Sequence, residues 1–262
     1  MELTWLGAAG FELDTSEGAT LLIAPFLSRP DRAYPLLPLR LTDLYPIDEI
    51  LLTNGRFDHA MDTPALAAQT GALVHATTPV CQHLAELGVS RHSLQTLTLK
   101  KSKGLGKLLW KALPGLVNQL DSSPVLRALT HNPRNLALAQ ELDRRWPPGD
   151  IVAYQLQGEG LSMVHFGSAG WIEAEIQDLE PDIALLPVEY HSDTNSAVVQ
   201  LAARLTPKVV IPHHWDNYYP PLTRQINLKE FAAAVNIVAP GVKVFIPKIG
   251  QSFNPAALLS RS

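Results

Sequence analysis

Cysteine is almost missing from this sequence: Cys81 stands alone among 262 residues. That excludes a disulfide framework and any thiolate cluster for zinc within the chain. Also lacking is an uninterrupted apolar run near the roughly 18 residues that a bilayer-spanning helix needs. The opening Met1 to Gly7 has neither the charged nor the apolar region of a secretory leader. A soluble, cytoplasmic protein is the expectation. An excess of positive charge is absent too, and the formal net charge of −4 argues against a nucleic-acid partner gripped by a bulk positive field. With 46% hydrophobic and 18% charged residues the chain is neither disordered nor fibrous, and its length buries a core without staples. Histidine, in contrast, is plentiful at nine residues, and it directs the functional reading.

The first sixty residues predict β structure. Glu2 to Gly7, Gly10 to Asp14 and Thr20 to Ala24 are short apolar runs parted by turn residues, which is the pattern of an antiparallel meander. Five prolines between Pro25 and Pro46 forbid a continued ladder and predict an ordered surface loop. Strand and helix then alternate: strand Ile50 to Thr53, a helix started by Asp62-Thr63-Pro64 and stopped by Gly71, strand Leu73 to Ala76, and a helix near Val80 to Leu87. Later come a hairpin around Gly158-Glu159-Gly160, strand Ile183 to Pro187, helix Asn195 to Leu205, strand Val209 to Pro212, helix Leu228 to Val235 and strand Val242 to Ile246. Such alternation implies sheets with helices packed on them. Residues 100–148 show no strand pattern; they read as a helical insertion in one domain spanning 1–262, with helices near Gly106 to Val117 and Arg134 to Trp146.

Four apolar strands run out into loops rich in histidine and carboxylate. These are Asn54-Gly55-Arg56-Phe57-Asp58-His59, His165-Phe166-Gly167-Ser168, Glu189-Tyr190-His191-Ser192-Asp193 and His213-His214-Trp215-Asp216. In layered α/β architectures such loops gather at one sheet edge, where ligands bind. Imidazole with carboxylate is the ligand chemistry of zinc, iron or manganese, and imidazole moves protons near neutral pH. For His165 and His191 a purely structural role, bonded to nearby backbone, stays open. His75, His83, His92 and His131 read as ordinary surface or half-buried residues.

The segments Leu3-Thr4-Trp5-Leu6-Gly7, Leu21-Leu22-Ile23-Ala24-Pro25-Phe26-Leu27-Ser28, Leu52-Thr53-Asn54-Gly55-Arg56-Phe57-Asp58-His59, His165-Phe166-Gly167-Ser168-Ala169-Gly170 and Ile211-Pro212-His213-His214-Trp215-Asp216 occur in the order of the metallo-β-lactamase superfamily. The chain resembles its metal-dependent hydrolase branch, similar to ascorbate-6-phosphate lactonase and N-acyl-phosphatidylethanolamine phospholipase D. The resemblance implies an α/β fold, an αββα four-layer sandwich with its metal site along one edge of the two sheets. The family motif His-x-His-x-Asp-His reads here Asn54-x-Arg56-x-Asp58-His59, so both leading histidines are replaced. Ser168 stands where a bridging Asp is expected, Ala8 where a polar residue follows the Trp-x-Gly turn, and Ala24 where Asp precedes Pro.

Arg56 puts a permanent cation beside the first metal position. At about 4 Å and an effective dielectric near 20, one unit-charge repulsion is about 4 kcal/mol, and a dication doubles it. The first site is therefore read as closed, which makes a binuclear zinc hydrolase the wrong expectation. The resemblance leaves Asp58, His59 and His214 as ligands for one zinc or other divalent transition metal. Asp58, His213 and His191 are the candidate catalytic residues, Asp193 a further acid–base candidate, and Arg56, Asn54, Ser168 and His165 the candidate substrate contacts. Three readings stay open. One is a single-metal hydrolase of an ester, lactone or phosphodiester. Another is a module without bound metal that has lost hydrolysis and holds a small anion or a lipid at Arg56 and the histidines; a scaffold with a vestigial cleft is a third.

Between Lys100 and Lys111 lie five lysines and no acid. Together with Leu105, Leu108, Leu109, Leu113 and Leu116 they approximate an amphipathic helix with a cationic face. Such a helix predicts a weak contact with an anionic membrane surface, beside the plainer reading of solvated lysines on a packed helix.

Overall fold

The computed structural model describes residues 1–116, 132–167, 170–188 and 192–260, without the side chains of 192–195. Strands β1 (Glu2–Gly7), β2 (Gly10–Asp14) and β3 (Thr20–Ile23) form the expected antiparallel meander. Three parallel strands extend it: β4 (Glu49–Leu51), β5 (Leu73–Ala76) and β6 (Leu94–Thr96). The second sheet holds β7 (Lys103–Leu105), β8 (Leu108–Pro114), β9 (Val152–Gly158), β10 (Leu161–Phe166), β11 (Ile183–Pro187), β12 (Val209–His213) and β13 (Lys243–Val244) in that spatial order. A last short strand, β14 (Ser252–Phe253), returns to the outer edge of β1. Among the described residues each sheet thus has seven strands.

The sheets meet face to face. Trp5, Phe11, Leu13 and Ile23 from the first pack among Trp110, Tyr154, Leu156 and Met163 from the second. The strands of the meander are apolar on both faces because Leu6 and Leu22 point the other way, under a helical layer. That layer comprises α1 (Phe57–Ala60), α2 (Thr63–Thr70), α3 (Thr78–Glu86) and α4 (Pro133–Arg145), whose Leu66, Leu84 and Leu142 meet Leu6, Leu22, Ile50 and Val74. After the single turn α5 (Glu173–Ile176), helices α6 (Ser192–Leu205) and α7 (Leu228–Val238) cover the second sheet with Val198, Leu201, Phe231 and Val235. The architecture is the αββα sandwich.

Two expectations are corrected. The helix expected from Gly106 to Val117 is a hairpin: Leu105 pairs with Leu108 across a two-residue turn in which Gly106 adopts φ 57°, a left-handed geometry that glycine accepts at least cost. Leu108, Trp110 and Ala112 alternate into the core while Leu109 faces out, so period two wins over the helical spacing of the leucines. Residues 103–114 therefore belong to the second sheet, and only α4 of the expected insertion is helical among the described residues. The cationic helix face disappears with it. Lys100 pairs with Glu175 at 2.6 Å and Lys107 with Glu17 at 2.9 Å. Lys103 lies over the Trp110 ring, 3.3 Å from His75 Nδ1. The membrane-surface contact expected through Lys100–Lys111 thus loses the helix that motivated it. No described helix is long and apolar enough to cross a membrane.

The second correction concerns Asp62, expected to cap α2. Its carboxylate accepts instead from the backbone N–H groups of Leu27 and Ser28, at 2.5 and 2.9 Å. It ties the proline-rich loop down beside the sheet edge where the histidines converge.

Candidate metal centre

The chain leaves β4 through Leu52 and Thr53, and the next residues are shaped by local chemistry. Asn54 Oδ1 accepts from Arg56 N–H at 2.9 Å, the short-range bond by which asparagine nucleates a turn. Gly55 donates to Pro148 O at 2.7 Å, and a Cβ at Gly55 would strike Pro147 O. Phe57 then seats α1 against Phe26 and Tyr219, with ring centroids 5.8 and 4.8 Å away. This one-turn helix buries Asp58 and His59. Thr53 Oγ1 lies 2.7 Å from His59 Nδ1 and fixes the ring, leaving Nε2 3.9 Å from Asp58 Oδ2. Thr53 is in turn wedged against Gly167, where any Cβ would collide with its side chain.

His214 arrives from the other sheet, one residue past β12, with φ 63°. Its N–H donates to Ala8 O at 2.9 Å, and Ala8 O also accepts from Trp5 Nε1 at 3.1 Å. Ala8 N–H donates to the Asp216 carboxylate, whose Oδ2 pairs with Arg29 at 2.7 Å. Arg29 and Asp216 are both buried, their side chains 4% and 0% exposed. Burial dominates each, lowering the Arg29 pKa and raising that of Asp216 against their mutual attraction. The β1–β2 turn, the proline-rich loop and the His214 loop are thereby locked together, and His214 Nε2 stands 3.6 Å from Asp58 Oδ2.

Among the described residues Asp58, His59 and His214 form the group able to hold an ion: one donor atom of each lies within 4.8 Å of the others, and all three residues are buried. Burial alone would raise the Asp58 pKa, yet His59, His214, Arg56 and the Tyr218 hydroxyl hold it below the usual carboxylate value. Asp58 Oδ1 is buried with no hydrogen-bond partner. Two imidazoles and one carboxylate, the latter with an oxygen left unsatisfied, fit a single divalent transition metal. Arg56, 38% exposed at the rim, brings Nε to 4.0 Å from Asp58 Oδ1 and its terminal nitrogen to 3.8 Å from Asp143 Oδ1.

The other expected site residues fall differently. His165 and His213 are fully buried behind the donors and stack in parallel, with centroids 4.9 Å apart and ring planes 4° off, both edged by Phe11. His165 Nε2–H donates to Ala9 O at 2.9 Å, and burial lowers its pKa to about 3. Burial likewise drives His213 well below the ordinary imidazole value. Burial disfavours the charged form of both rings, and neither belongs to the donor group. His191 and Ser168 lie outside the described residues, as do the side chain of Asp193 and all of His131. Thr53, Arg29 and Tyr218 are site residues that the sequence reading missed. Only the aromatic run Trp215 to Tyr219 after the histidine pair offered a signal for the last.

A family model described as "Beta-lactamase superfamily domain" matches residues 2–214. A UPF0173 metal-dependent hydrolase of Polynucleobacter asymbioticus is 27% identical over 241 residues, covering 89% of this chain and 80% of the relative. Another, from Methanobrevibacter smithii, is 27% identical over 261 residues, with 97% and 96% covered. Among solved structures, Igni18, a metallo hydrolase of Ignicoccus hospitalis, aligns with TM-score 0.69 at 21% identity over 97% of this chain and 98% of its own. The metallo-β-lactamase fold protein YhfI of Bacillus subtilis aligns with TM-score 0.66 at 13% identity, covering 96% and 98%. With the sandwich, the histidine-bearing edge and a family match over most of its length, the chain belongs to the metallo-β-lactamase superfamily.

Proposed function

We propose that the chain is a metal-dependent hydrolase with a reduced, one-ion site. The carrying observation is the convergence of Asp58, His59 and His214, buried donors within 4.8 Å of one another, with the Nε2 atoms of His59 and His214 at 3.9 and 3.6 Å from Asp58 Oδ2. The name borne by the UPF0173 relatives supports the reading. Zinc or another divalent transition ion held there would polarise a carbonyl or phosphoryl oxygen and make a bound water acidic. The chain's own groups do the rest. Thr53 fixes the His59 ring, and Ala8 fixes the backbone of His214. Arg56 at the rim takes the anionic part of a small ester, lactone or phosphodiester, while Asn54 holds the Arg56 backbone in place. Ser168 is assigned to substrate contact and His191 to proton transfer. His165 and His213, both enclosed, back the donors from the core rather than exchange protons with solvent. Ser168 for the bridging Asp and Arg56 beside Asp58 account for one ion instead of two.

A non-catalytic anion binder is favoured by a single observation, the guanidinium of Arg56 lying 4.0 Å from Asp58 and competing for that carboxylate. Chelator-treated protein reloaded with zinc or manganese and assayed on p-nitrophenyl acetate, a γ-lactone and bis(p-nitrophenyl) phosphate separates the two. Metal-dependent turnover of one class, lost in Asp58→Ala and His214→Ala, is the expected result. Protein that takes up no ion and is inert toward all three, yet binds phosphate or acetate through Arg56, would establish the binder instead.

A further inference from the structure

Tyr218 makes two contacts with the donor group. Its ring stacks on His214 with centroids 5.2 Å apart and planes 19° off, and its hydroxyl favours the charged Asp58 carboxylate and helps to lower its pKa. Asp58 comes from α1, which follows β4, and His214 from the loop after β12, so these donors follow strands of different sheets. Tyr218 touches both.

Its own seat is built from either side along the chain. Asp216 is held by Arg29 and Ala8, and Asn217 exchanges two backbone hydrogen bonds with Tyr34, at 3.0 and 2.8 Å. Thr223 Oγ1 donates to Asn217 Oδ1 at 2.9 Å while accepting from Tyr219 N–H at 2.7 Å. The ring lies between His214 on one side and the edge of Phe26, 6.2 Å between centroids, on the other. A half-buried phenol held this way loses little freedom when it binds, and its hydroxyl sits where a carboxylate needs orienting.

Resting on the one-ion reading above, we infer that Tyr218 is a positioning residue that presets Asp58 and His214 before any ion arrives. The hydroxyl fixes the rotation of the carboxylate, and the ring fixes the plane of the imidazole. Outer-shell partners of this kind are typically worth about 10–100-fold in metal affinity.

Two substitutions separate the parts. Tyr218→Phe keeps the ring and removes the hydroxyl; Tyr218→Leu removes both. Zinc titration of metal-stripped protein is expected to show about tenfold weaker binding for Tyr218→Phe, with an unchanged urea midpoint of the metal-free form, and a larger loss for Tyr218→Leu. On metal-free protein, the His214 ring protons, shielded by the stacked phenol, should keep their NMR shift in Tyr218→Phe and move downfield in Tyr218→Leu. Zinc affinity at the parent level in Tyr218→Phe, or His214 resonances unmoved in Tyr218→Leu, would overturn the proposal. If the parent protein takes up no zinc, the hydrolase reading falls by itself, and the His214 resonances alone then decide on Tyr218.

Discussion

The pair Arg29 and Asp216 holds the His214 loop in place, and breaking it on one side should be costly. In Arg29→Met the Asp216 carboxylate, 0% exposed, is left with one backbone donor, Ala8 N–H. Removing one partner of a buried pair costs about 3–5 kcal/mol, and the lost bond from Arg29 to Pro35 O adds about 1 kcal/mol. That is a large share of the roughly 5–15 kcal/mol that holds a typical domain together. The double variant Arg29→Met/Asp216→Asn removes both charges and keeps an oxygen to accept from Ala8. Since burial outweighs attraction for both partners, the double variant should lose only about 1–2 kcal/mol, less than Arg29→Met alone. Urea denaturation followed by tryptophan fluorescence measures both, with m-values checked for constancy. A loss below about 1 kcal/mol in Arg29→Met, or strictly additive single effects, would refute the reasoning.

Three further outcomes are expected. Gly167→Ala drives a methyl into Thr53, so it should cost about 1–3 kcal/mol by overpacking, whereas Thr53→Ala should spare stability more and still weaken zinc binding at His59. Trp110→Phe withdraws the indole N–H that Glu49 Oε2 accepts at 2.8 Å, and chemical denaturation should register about 1–3 kcal/mol. Glu12, lifted to about 7 by burial and by Asp14, binds its proton more tightly in the fold than in the unfolded chain. Its contribution is therefore fully present below about pH 4.5 and is lost as pH rises to about 7. Across that window the stability of the parent relative to Glu12→Gln should fall by about 1–2 kcal/mol after solvent screening, and parallel profiles would exclude the effect.

The sequence was most legible where one period dominated. The meander of β1 to β3, the turn at Glu159-Gly160 with both φ angles positive, and Gly71 ending α2 are local features, and local chemistry predicts them. Around Trp110 two periods competed. Leu105, Leu108 and Leu109 match a helix, but the first sheet offers a face that only an alternating strand can cover, and that information lies in distant residues. The site divides along the same line. Asp58 and His59 are neighbours, and His214 follows a buried strand, so all three could be named from the sequence. Their supports could not, because Arg29 and Asp216 meet only through the closed sandwich, as do Tyr218 and Asp58. The buried stack of His165 on His213 was hidden for the same reason: strand-end histidines look alike until the facing sheet supplies Phe11 and Ala9 O.

Metal stoichiometry tests the one-ion site most directly. Metal-stripped protein titrated with zinc by calorimetry, with bound metal counted by mass spectrometry after desalting, should take up one equivalent per chain. Asp58→Ala and His214→Ala should abolish that uptake, and Arg56→Gln should tighten it several-fold by removing a cation 4.0 Å from Asp58. Uptake of two equivalents, of none, or of one that survives Asp58→Ala would contradict it.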